Sequence, residues 1–279
     1  MTMPNVITRR QFLTRSLAAL AGTIVVPKLF GDYTPTSPYR FALLADTHVN
    51  PPSTSNLKFD DNLRQVVHEV ISGDSVPRAV FVVGDLAYMG GLSEDYRVFS
   101  GLTERIRTAG IPLHFAIGNH DLRENYWKFF PERNRPFNDR HVMLVPTKRA
   151  NFFILDSKDG GGSGHCGDAQ LKWLANALDA HPDIPAITMI HHNDGDINDG
   201  VALLNVILPR KQVKAHFWGH VHKWEVGSTL GLHMISLPST AYGRTGWVDM
   251  ALNTDSAQLQ FNPLELLSEN IKPVTLQWR

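Results

Sequence analysis

Apolar runs of strand length alternate with segments of helical periodicity in the first part of the chain. Residues 40–45, 78–83 and 113–117 are short apolar runs, and each of them stops at polar residues. Between these runs, residues 56–72 and 93–108 carry apolar side chains at the spacing of a helix face. This order of strand, helix, strand, helix, strand predicts a parallel sheet that is covered on both faces.

The alternation continues in the second half of the chain, where strands and helices are predicted in turn at residues 151–155, 168–180, 186–190, 201–208 and 214–218. Three later segments are separated by turn signals and predict antiparallel hairpins, at residues 225–237, 246–253 and 257–262. Residues 122–146 show no clear period and contain a group of aromatic residues at 126–130. They predict a long loop or a short helical insertion, whose aromatic side chains either pack on the sheet or line a substrate pocket.

The first 38 residues have a different pattern from the rest. Arg9 and Arg10 are followed by Phe12 and Leu13, and then by an apolar run at 17–26 that is too short to span a bilayer comfortably. This layout resembles a twin-arginine (Tat) export signal, although a basic amphipathic helix docked on the domain is an alternative.

The predicted domain boundaries are residues 1–38 for the twin-arginine signal and its linker, and residues 39–279 for one large domain. The resemblance to a Tat signal implies the Tat export machinery as a partner. It predicts a periplasmic or other extracytoplasmic location, with a membrane anchor if the signal is not cleaved.

Charge and cysteine content narrow the classes of function. The chain has 27 Lys and Arg residues against 27 Asp and Glu residues, so its formal net charge is zero with neutral histidines. A zero balance gives no field that attracts nucleic acid, and we predict no dedicated nucleic-acid binding. Cys166 is the only cysteine, which excludes an internal disulfide. Thirteen histidines direct attention to metal binding instead.

Polar clusters follow the predicted strands at the point where each strand ends: Asp46-Thr47-His48, Gly84-Asp85, Gly118-Asn119-His120-Asp121, His191-His192 and Gly219-His220-Val221-His222. In open α/β sheets, binding sites are built at the carboxyl ends of the strands. The donors are nitrogen and oxygen atoms without a thiolate, a set that suits Fe, Mn, Zn, Co or Ni. Either of the adjacent histidines His191 and His192 can serve as the ligand, and we favour His191 because it comes first off the strand.

The order D-x-H, G-D, G-N-H-D, H and G-H-x-H resembles the five-block signature of the calcineurin-like metallophosphoesterases, and it spans most of the chain after the predicted signal. This resemblance implies an α/β fold, a four-layer αββα sandwich of two mixed β-sheets flanked by helices. Within the superfamily, residues 118–123 and 237–242 look most similar to the branch of class III cyclic-nucleotide phosphodiesterases and glycerophosphodiesterases.

The resemblance also implies a site with two divalent or trivalent transition-metal ions. One ion would be held by Asp46, His48, Asp85 and His222, and the other by Asp85, Asn119, His191 and His220. Asp85 would bridge them. The nucleophile would be a metal-bridging hydroxide, with His120 assisting the leaving group and Asp121 orienting His120.

The predicted function is the hydrolysis of a small phosphate-ester substrate, with phosphodiesters favoured. Arg123, Arg244 and His192 are predicted substrate contacts. A phosphomonoesterase or nucleotidase of the same superfamily is the first alternative, because the metal site is shared and specificity resides in loops. A non-catalytic interaction module is the second, since some relatives, such as a retromer subunit, keep the fold without a working metal site.

Overall fold

The computed structural model describes residues 39–51, 59–73, 75–131, 137–265 and 271–278. The predicted signal and linker at 1–38 lie outside the described residues. Within the described ranges the strands are β1 (Tyr39–Leu44), β2 (Val80–Val83), β3 (Leu113–Ala116), β4 (Met143–Pro146), β5 (Asn151–Ile154), β6 (Ala186–Met189), β7 (Val213–Trp218), β8 (Glu225–Thr229), β9 (Leu232–Ser236), β10 (Gly246–Leu252), β11 (Ser256–Pro263) and β12 (Val274–Gln277). The helices are α1 (Phe59–Ser72), α2 (Ser93–Leu102), α3 (Glu104–Thr108), α4 (Arg123–Phe129), α5 (Asp168–Asp179) and α6 (Gly200–Ile207).

The strands form two mixed six-stranded sheets. In the first, the order is β12-β11-β10-β1-β2-β3, with β1, β2 and β3 parallel and the remaining pairs antiparallel. In the second, the order is β4-β5-β6-β7-β9-β8, with β5, β6, β7 and β9 parallel and antiparallel pairs at both edges. The expected pair of mixed sheets is therefore confirmed.

Alternating side chains of the central strands explain why both faces of each sheet are covered. Phe41 and Leu43 of β1 pack with Phe152 of the second sheet in one buried cluster. Ala42 and Leu44 of the same strand pack instead against the apolar face of α1. Since side chains alternate between the faces of a strand, β1 is buried on both sides. The helices α5 and α6 cover the outer face of the second sheet in the same way, which completes four layers.

Three local features differ from the sequence prediction. The helix predicted over 93–108 is divided at Thr103, whose hydroxyl group donates to the carbonyl oxygen of Phe99 at 2.9 Å. Such a side-chain bond to the preceding turn competes with regular helix geometry. The strands β4 and β12 were not predicted. Both are edge strands with incomplete burial, so they lack the fully buried apolar run of the equally short β2, β3, β5 and β6.

The segment 122–146 contains the short helix α4, as the helical alternative predicted. Its aromatic side chains Tyr126 and Phe130 are buried in the cluster between the first sheet and its helices. Of the two alternatives for these aromatic side chains, packing on the sheet is therefore confirmed. None of the helices in the described part of the chain combines the length and the apolarity needed to cross a membrane.

Candidate metal centre

The predicted ligands follow the carboxyl ends of parallel strands that belong to both sheets. In the first sheet, β1, β2 and β3 lead into Asp46, Asp85 and Asn119. In the second sheet, β6 and β7 lead into His191 and His220. Because the ends of parallel strands share one edge of a sheet, and the two sheets pack face to face, these side chains meet at one end of the sandwich.

One group of donors consists of Asp46, His48 and His222, which we call the first cluster. Its donor atoms lie within 4.8 Å of one another. The Nε2 atoms of His48 and His222 are 3.3 Å apart, and Nε2 of His222 is 3.4 Å from Oδ1 of Asp46. Tetrahedral ligands at about 2.0–2.1 Å from an ion lie about 3.3 Å from one another, so this spacing fits one transition-metal ion.

A second group, the second cluster, consists of Asn119, His191 and His220. Nε2 of His191 is 3.0 Å from Oδ1 of Asn119. The rings of His191 and His220 meet edge to face, with centroids 5.1 Å apart, and their donor atoms lie within 4.8 Å of each other. This arrangement fits a second ion with nitrogen and oxygen ligands.

Asp85 joins the two clusters. Its Oδ2 atom lies 3.7 Å from Nε2 of His48 in the first cluster and 3.3 Å from Nε2 of His191 in the second. Its other oxygen, Oδ1, accepts the backbone N–H of His120 at 2.9 Å. The residue is buried, so its carboxylate is available to the site and not to bulk water. The carboxylate therefore faces both clusters, and its bridging of two ions stays a prediction.

Hydrogen bonds to backbone carbonyls fix how two of the imidazoles face the site. Nδ1 of His191 donates to the carbonyl oxygen of Val83 at 3.1 Å, and Nδ1 of His48 lies 3.4 Å from that of Tyr88. A proton held at Nδ1 leaves Nε2 as the atom that binds a metal, an arrangement typical of histidine ligands.

The charges in the centre are strongly coupled. Burial alone would lower the pKa of His191, but the carboxylates of Asp85 and Asp46 outweigh it and raise that pKa to about 9. Burial would likewise raise the pKa of Asp85, yet the neighbouring imidazoles, His191 foremost, hold it well below its usual range. Without an ion, His191 and Asp85 therefore form a buried ion pair. Metal binding must displace a proton from this pair, since a histidine ligand is neutral.

His192, the alternative to His191, is engaged elsewhere. Its Nδ1 atom lies 2.7 Å from the hydroxyl oxygen of Ser157 and its Nε2 atom lies 3.0 Å from the carbonyl oxygen of Gly162. Burial lowers its pKa to about 3, so the ring is neutral. Although its ring is near His191 and His220, both of its nitrogens already have protein partners. The buried ring also has no exposed atom to offer a substrate, contrary to the predicted substrate contact.

His120 lies beside the first cluster, and one of its nitrogens comes within 4.8 Å of donor atoms of His48 and Asp85. Its Nε2 atom is 4.0 Å from Oδ2 of Asp85, and its ring meets that of His48 edge to face at a centroid distance of 4.9 Å. The side chain is 35% exposed, whereas those of His48 and His191 are almost fully buried. His120 is thus placed to reach both the ion-binding edge and a molecule arriving from solvent.

The structure corrects the role predicted for Asp121. Its buried carboxylate accepts the backbone N–H groups of Leu86, Ala87 and Gly118 and the hydroxyl group of Tyr96. Among the hydrogen bonds of the described residues, none joins this carboxylate to His120. Burial, together with the charge of Asp85, raises the pKa of Asp121 to about 6. Asp121 therefore holds the loops after β2 and β3 in place and does not orient the imidazole.

The two arginines predicted to contact substrate are directed elsewhere as well. Nε and Nη2 of Arg123 each donate to the buried carboxylate of Asp156 at 2.7 Å, a bidentate pair. The guanidinium of Arg244 lies over the ring of Phe261, 5.5 Å from its centroid. Both guanidinium groups thus have protein partners, Asp156 for Arg123 and Phe261 for Arg244.

Sequence reasoning missed Lys158 and Asp156. Nζ of Lys158 donates to the backbone carbonyl of Asn119 at 2.8 Å and thereby supports a metal ligand of the second cluster. Asp156 accepts Arg123 and also the backbone N–H groups of His141 and Lys158. The signal was present, because Asp156-Ser157-Lys158 follows β5 just as the recognised clusters follow their strands.

Five residues of the centre have left-handed backbone conformations, with φ between 44° and 66°: Asp46, His48, Asp85, His220 and His222. For residues other than glycine such conformations cost about 1–3 kcal/mol each and persist only where surrounding bonds enforce them. Here the backbone N–H of His220 donates to Oδ1 of Asp46 at 3.0 Å, and that of His48 donates to the carbonyl oxygen of Asp85 at 3.0 Å. These hydrogen bonds between the loops after β1, β2 and β7 stabilise the left-handed conformations, so the backbone strain lies at the predicted ligands.

Two motif glycines are needed because ligand carboxylates pass close to them. A Cβ atom at Gly118 would collide with Oδ1 and the backbone of Asp85, and one at Gly219 would lie 2.6 Å from Oδ2 of Asp46. The glycine of G-N-H-D therefore makes space for the carboxylate after the adjacent strand β2, and that of G-H-x-H makes space for the carboxylate after β1 of the other sheet.

Replacing Gly118 by alanine is expected to push Asp85 out of position and to weaken metal binding by about 10–100-fold, the range found when the support of a ligand is lost. Isothermal titration of the metal-free protein measures this. Gly101→Ala is the matched control, because a Cβ there meets nothing within 4 Å and the site is in helix α2. It should bind metal normally and gain about 0.5–1 kcal/mol in stability. Normal binding by Gly118→Ala would contradict the steric argument.

Three comparisons place the chain among known proteins. A probable cyclic nucleotide phosphodiesterase of Psychrobacter sp. (strain PRwf-1) is 28% identical over 228 residues, which cover 75% of this chain and 64% of that protein. A probable glycerophosphodiester phosphodiesterase of Arcobacter nitrofigilis is 29% identical over 178 residues, which cover 59% of this chain and 63% of that protein. The aligned part of the chain thus spans less than two thirds of the length of either relative.

A dimetal phosphatase from Danio rerio shares the fold, with a TM-score of 0.71 at 14% identity over 87% of this chain and 100% of that chain. The family model described as calcineurin-like phosphoesterase matches residues 39–224, a range that contains both clusters and Asp85. The chain therefore belongs to the calcineurin-like phosphoesterase family.

Proposed function

We propose that this protein hydrolyses phosphate esters, with phosphodiesters as its preferred class, and that it does so with two transition-metal ions. The observation that carries the proposal is the pair of nitrogen and oxygen clusters joined by the buried carboxylate of Asp85, with the partly exposed His120 beside them. The names of the relatives, a cyclic nucleotide phosphodiesterase and a glycerophosphodiester phosphodiesterase, favour a diester over a monoester.

The first cluster with Asp85 would hold one ion, and the second cluster with Asp85 the other. When bound, such ions supply an activated water molecule and neutralise charge on the phosphoryl oxygens. The donor set suits Fe, Mn, Zn, Co or Ni, because it contains imidazoles, carboxylates and an amide but no thiolate. Asn119 contributes a neutral oxygen, which keeps the site positively charged and attractive to a phosphate ester.

Other residues of the site would assist the leaving group and orient the ligands. His120 is placed to donate a hydrogen bond or a proton to the leaving oxygen of the substrate. The carbonyl oxygen of Val83 orients the ring of His191, and Lys158 supports the backbone of Asn119. Two of the three ligands of the second cluster are therefore oriented before a substrate arrives.

The test is the turnover of protein from which metal has been removed by a chelator and to which single metals are then returned. Substrates are bis(p-nitrophenyl) phosphate, p-nitrophenyl phosphate, cyclic nucleotides and glycerophosphodiesters. We expect turnover only after metal is returned, and faster turnover of diesters. Faster turnover of monoesters would instead identify a phosphomonoesterase or nucleotidase. Full metal binding without turnover of any ester would identify a non-catalytic module.

We further propose that residues 1–38 direct export through the twin-arginine machinery and that the protein functions outside the cytoplasm. The support is Arg9 and Arg10 followed by Phe12, Leu13 and the apolar run at 17–26. Since this route carries folded proteins, metal would be loaded in the cytoplasm.

The double change Arg9→Lys with Arg10→Lys is expected to abolish export while keeping the charge, because the signal requires the arginine pair. Fractionation of cells followed by immunoblotting measures it. Arg15→Lys, the same change outside the pair, should be exported as the unchanged protein is. Equal export of the double variant would eliminate the Tat assignment.

A further inference from the structure

Tyr242 lies against both imidazoles of the first cluster. Its ring is parallel to that of His222, with an interplanar angle of 4° and centroids 5.1 Å apart. It also meets the ring of His48 edge to face, with centroids 4.9 Å apart. Stacked and edge-to-face arrangements of aromatic rings are attractive at these distances. One tyrosine therefore contacts two ligands of the same candidate ion.

In the described part of the structure, His222 lacks the backbone hydrogen bond that orients the imidazoles of His48 and His191. Nδ1 of His48 and Nδ1 of His191 face backbone carbonyl oxygens. For His222, no hydrogen bond to Nδ1 is found within the part of the chain that the structure describes. Its side chain is 30% exposed, and its backbone has a φ of 55°. The ring of His222 is bounded instead by two aromatic neighbours, His48 edge to face at a centroid distance of 5.3 Å and the parallel ring of Tyr242. The stack on Tyr242 therefore constrains the plane of the ring.

Tyr242 is itself held by the loop that supports the third member of the cluster. Its backbone N–H donates to the hydroxyl oxygen of Ser239 at 2.9 Å, and the same hydroxyl donates to the carbonyl oxygen of Asp46 at 3.0 Å. On its other side the ring packs on the buried ring of Phe59, with centroids 4.5 Å apart. The loop at 239–242 therefore contacts all three members of the first cluster, Asp46 through Ser239 and the two histidines through Tyr242.

We propose that Tyr242 is a positioning residue that sets the metal affinity of the first cluster and leaves that of the second cluster unchanged. The inference rests on the proposed two-metal site. Ring contacts of Tyr242 in the described ranges involve His48 and His222, whereas His191 and His220 contact each other and His192. The aromatic face would carry the effect, because its stack constrains the plane of the His222 ring, whose Nε2 atom would bind the ion.

The experiment is calorimetric titration of the metal-free protein with Zn²⁺, with Mn²⁺ as a second probe. The unchanged protein should bind two ions. Tyr242→Leu should bind one of them about 10–100-fold more weakly and the other with unchanged affinity. Tyr242→Phe, which keeps the stack, should stay within about threefold of the unchanged protein. Tyr39→Leu is the matched control. Tyr39 is also partly buried, but it lies at the first residue of β1, whereas Asp46 of the first cluster follows the last residue of that strand.

The outcomes of the titration separate the role of Tyr242 from the proposed two-metal function. Unchanged affinities in Tyr242→Leu, or equal weakening of both ions, would overturn the inference while the two-metal function stands. Weakening by Tyr242→Phe as large as that by Tyr242→Leu would assign the effect to the hydroxyl group and overturn the stacking argument. If the unchanged protein bound no ion, the proposed function itself would fail. Should the leucine variant melt at a lower temperature without metal, Tyr242→Met takes its place.

Discussion

Replacing Asp85 by asparagine is expected to remove both ions and to lower kcat/KM by more than about 100-fold, since losing even an outer partner of a metal ligand costs about 10–100-fold. The reason is geometric, because the Oδ2 atom of this one buried carboxylate faces His48 in the first cluster and His191 in the second. An amide of the same size keeps the volume but has neither the charge nor a second acceptor oxygen. Metal content after dialysis and steady-state turnover measure the effect.

Asp183→Asn is the control for this change. Asp183 is exposed and precedes β6, whereas His191 follows that strand, so it lies at the edge of the sheet away from the site. It should keep both ions and full turnover. An Asp85→Asn protein that still bound one ion with unchanged affinity would show that the two clusters do not share this carboxylate.

Much of the centre was predictable from the sequence because one rule covers it. Short apolar runs that stop at polar residues gave the parallel strands, and the ends of parallel strands meet at one edge. Asp46, Asp85, Asn119 and His191 were found in this way, and the structure places them together. The rule applied equally to Asp156 after β5, which was not recognised because its sequence lacks the glycine and histidine of the other clusters.

The roles of neighbouring residues were less predictable, because adjacency in sequence does not fix direction in space. Asp121 follows His120 directly, yet its carboxylate turns into the protein to accept backbone N–H groups of Leu86, Ala87 and Gly118. Arg123 faces Asp156, a partner 33 residues away. Both directions depend on where two other loops lie, and no local pattern encodes that position.

Backbone conformation was the other feature beyond sequence reasoning. A left-handed φ at Asp46, His48, Asp85, His220 and His222 disagrees with the local preference of these residues. It results from bonds between loops that only the folded sandwich brings together, such as the one from the backbone N–H of His220 to Asp46. Local preference is therefore violated where the ligands lie, as expected when strain is confined to a functional site.

Replacing His120 by alanine is expected to keep both ions and to lower kcat by about 10²–10⁴-fold, the usual contribution of a general acid. Nε2 of His120 lies 4.0 Å from Oδ2 of the shared carboxylate, and the side chain is 35% exposed, so it can face an arriving substrate. Its backbone N–H, which donates to Oδ1 of Asp85, is retained by alanine. The loss should be largest for esters with an alkoxide leaving group, because that oxygen needs a proton to depart.

The leaving group provides the discriminating comparison. A p-nitrophenolate departs without protonation, so His120→Ala should lose much less activity on bis(p-nitrophenyl) phosphate than on a glycerophosphodiester or a cyclic nucleotide. His68→Ala, a change of the same kind at an exposed position of α1, should affect neither substrate. Equal losses on both substrates would mean that His120 stabilises the phosphoryl oxygens and not the leaving group. Full activity on the alkoxide esters would remove His120 from the chemistry, and the clusters alone would then have to account for catalysis.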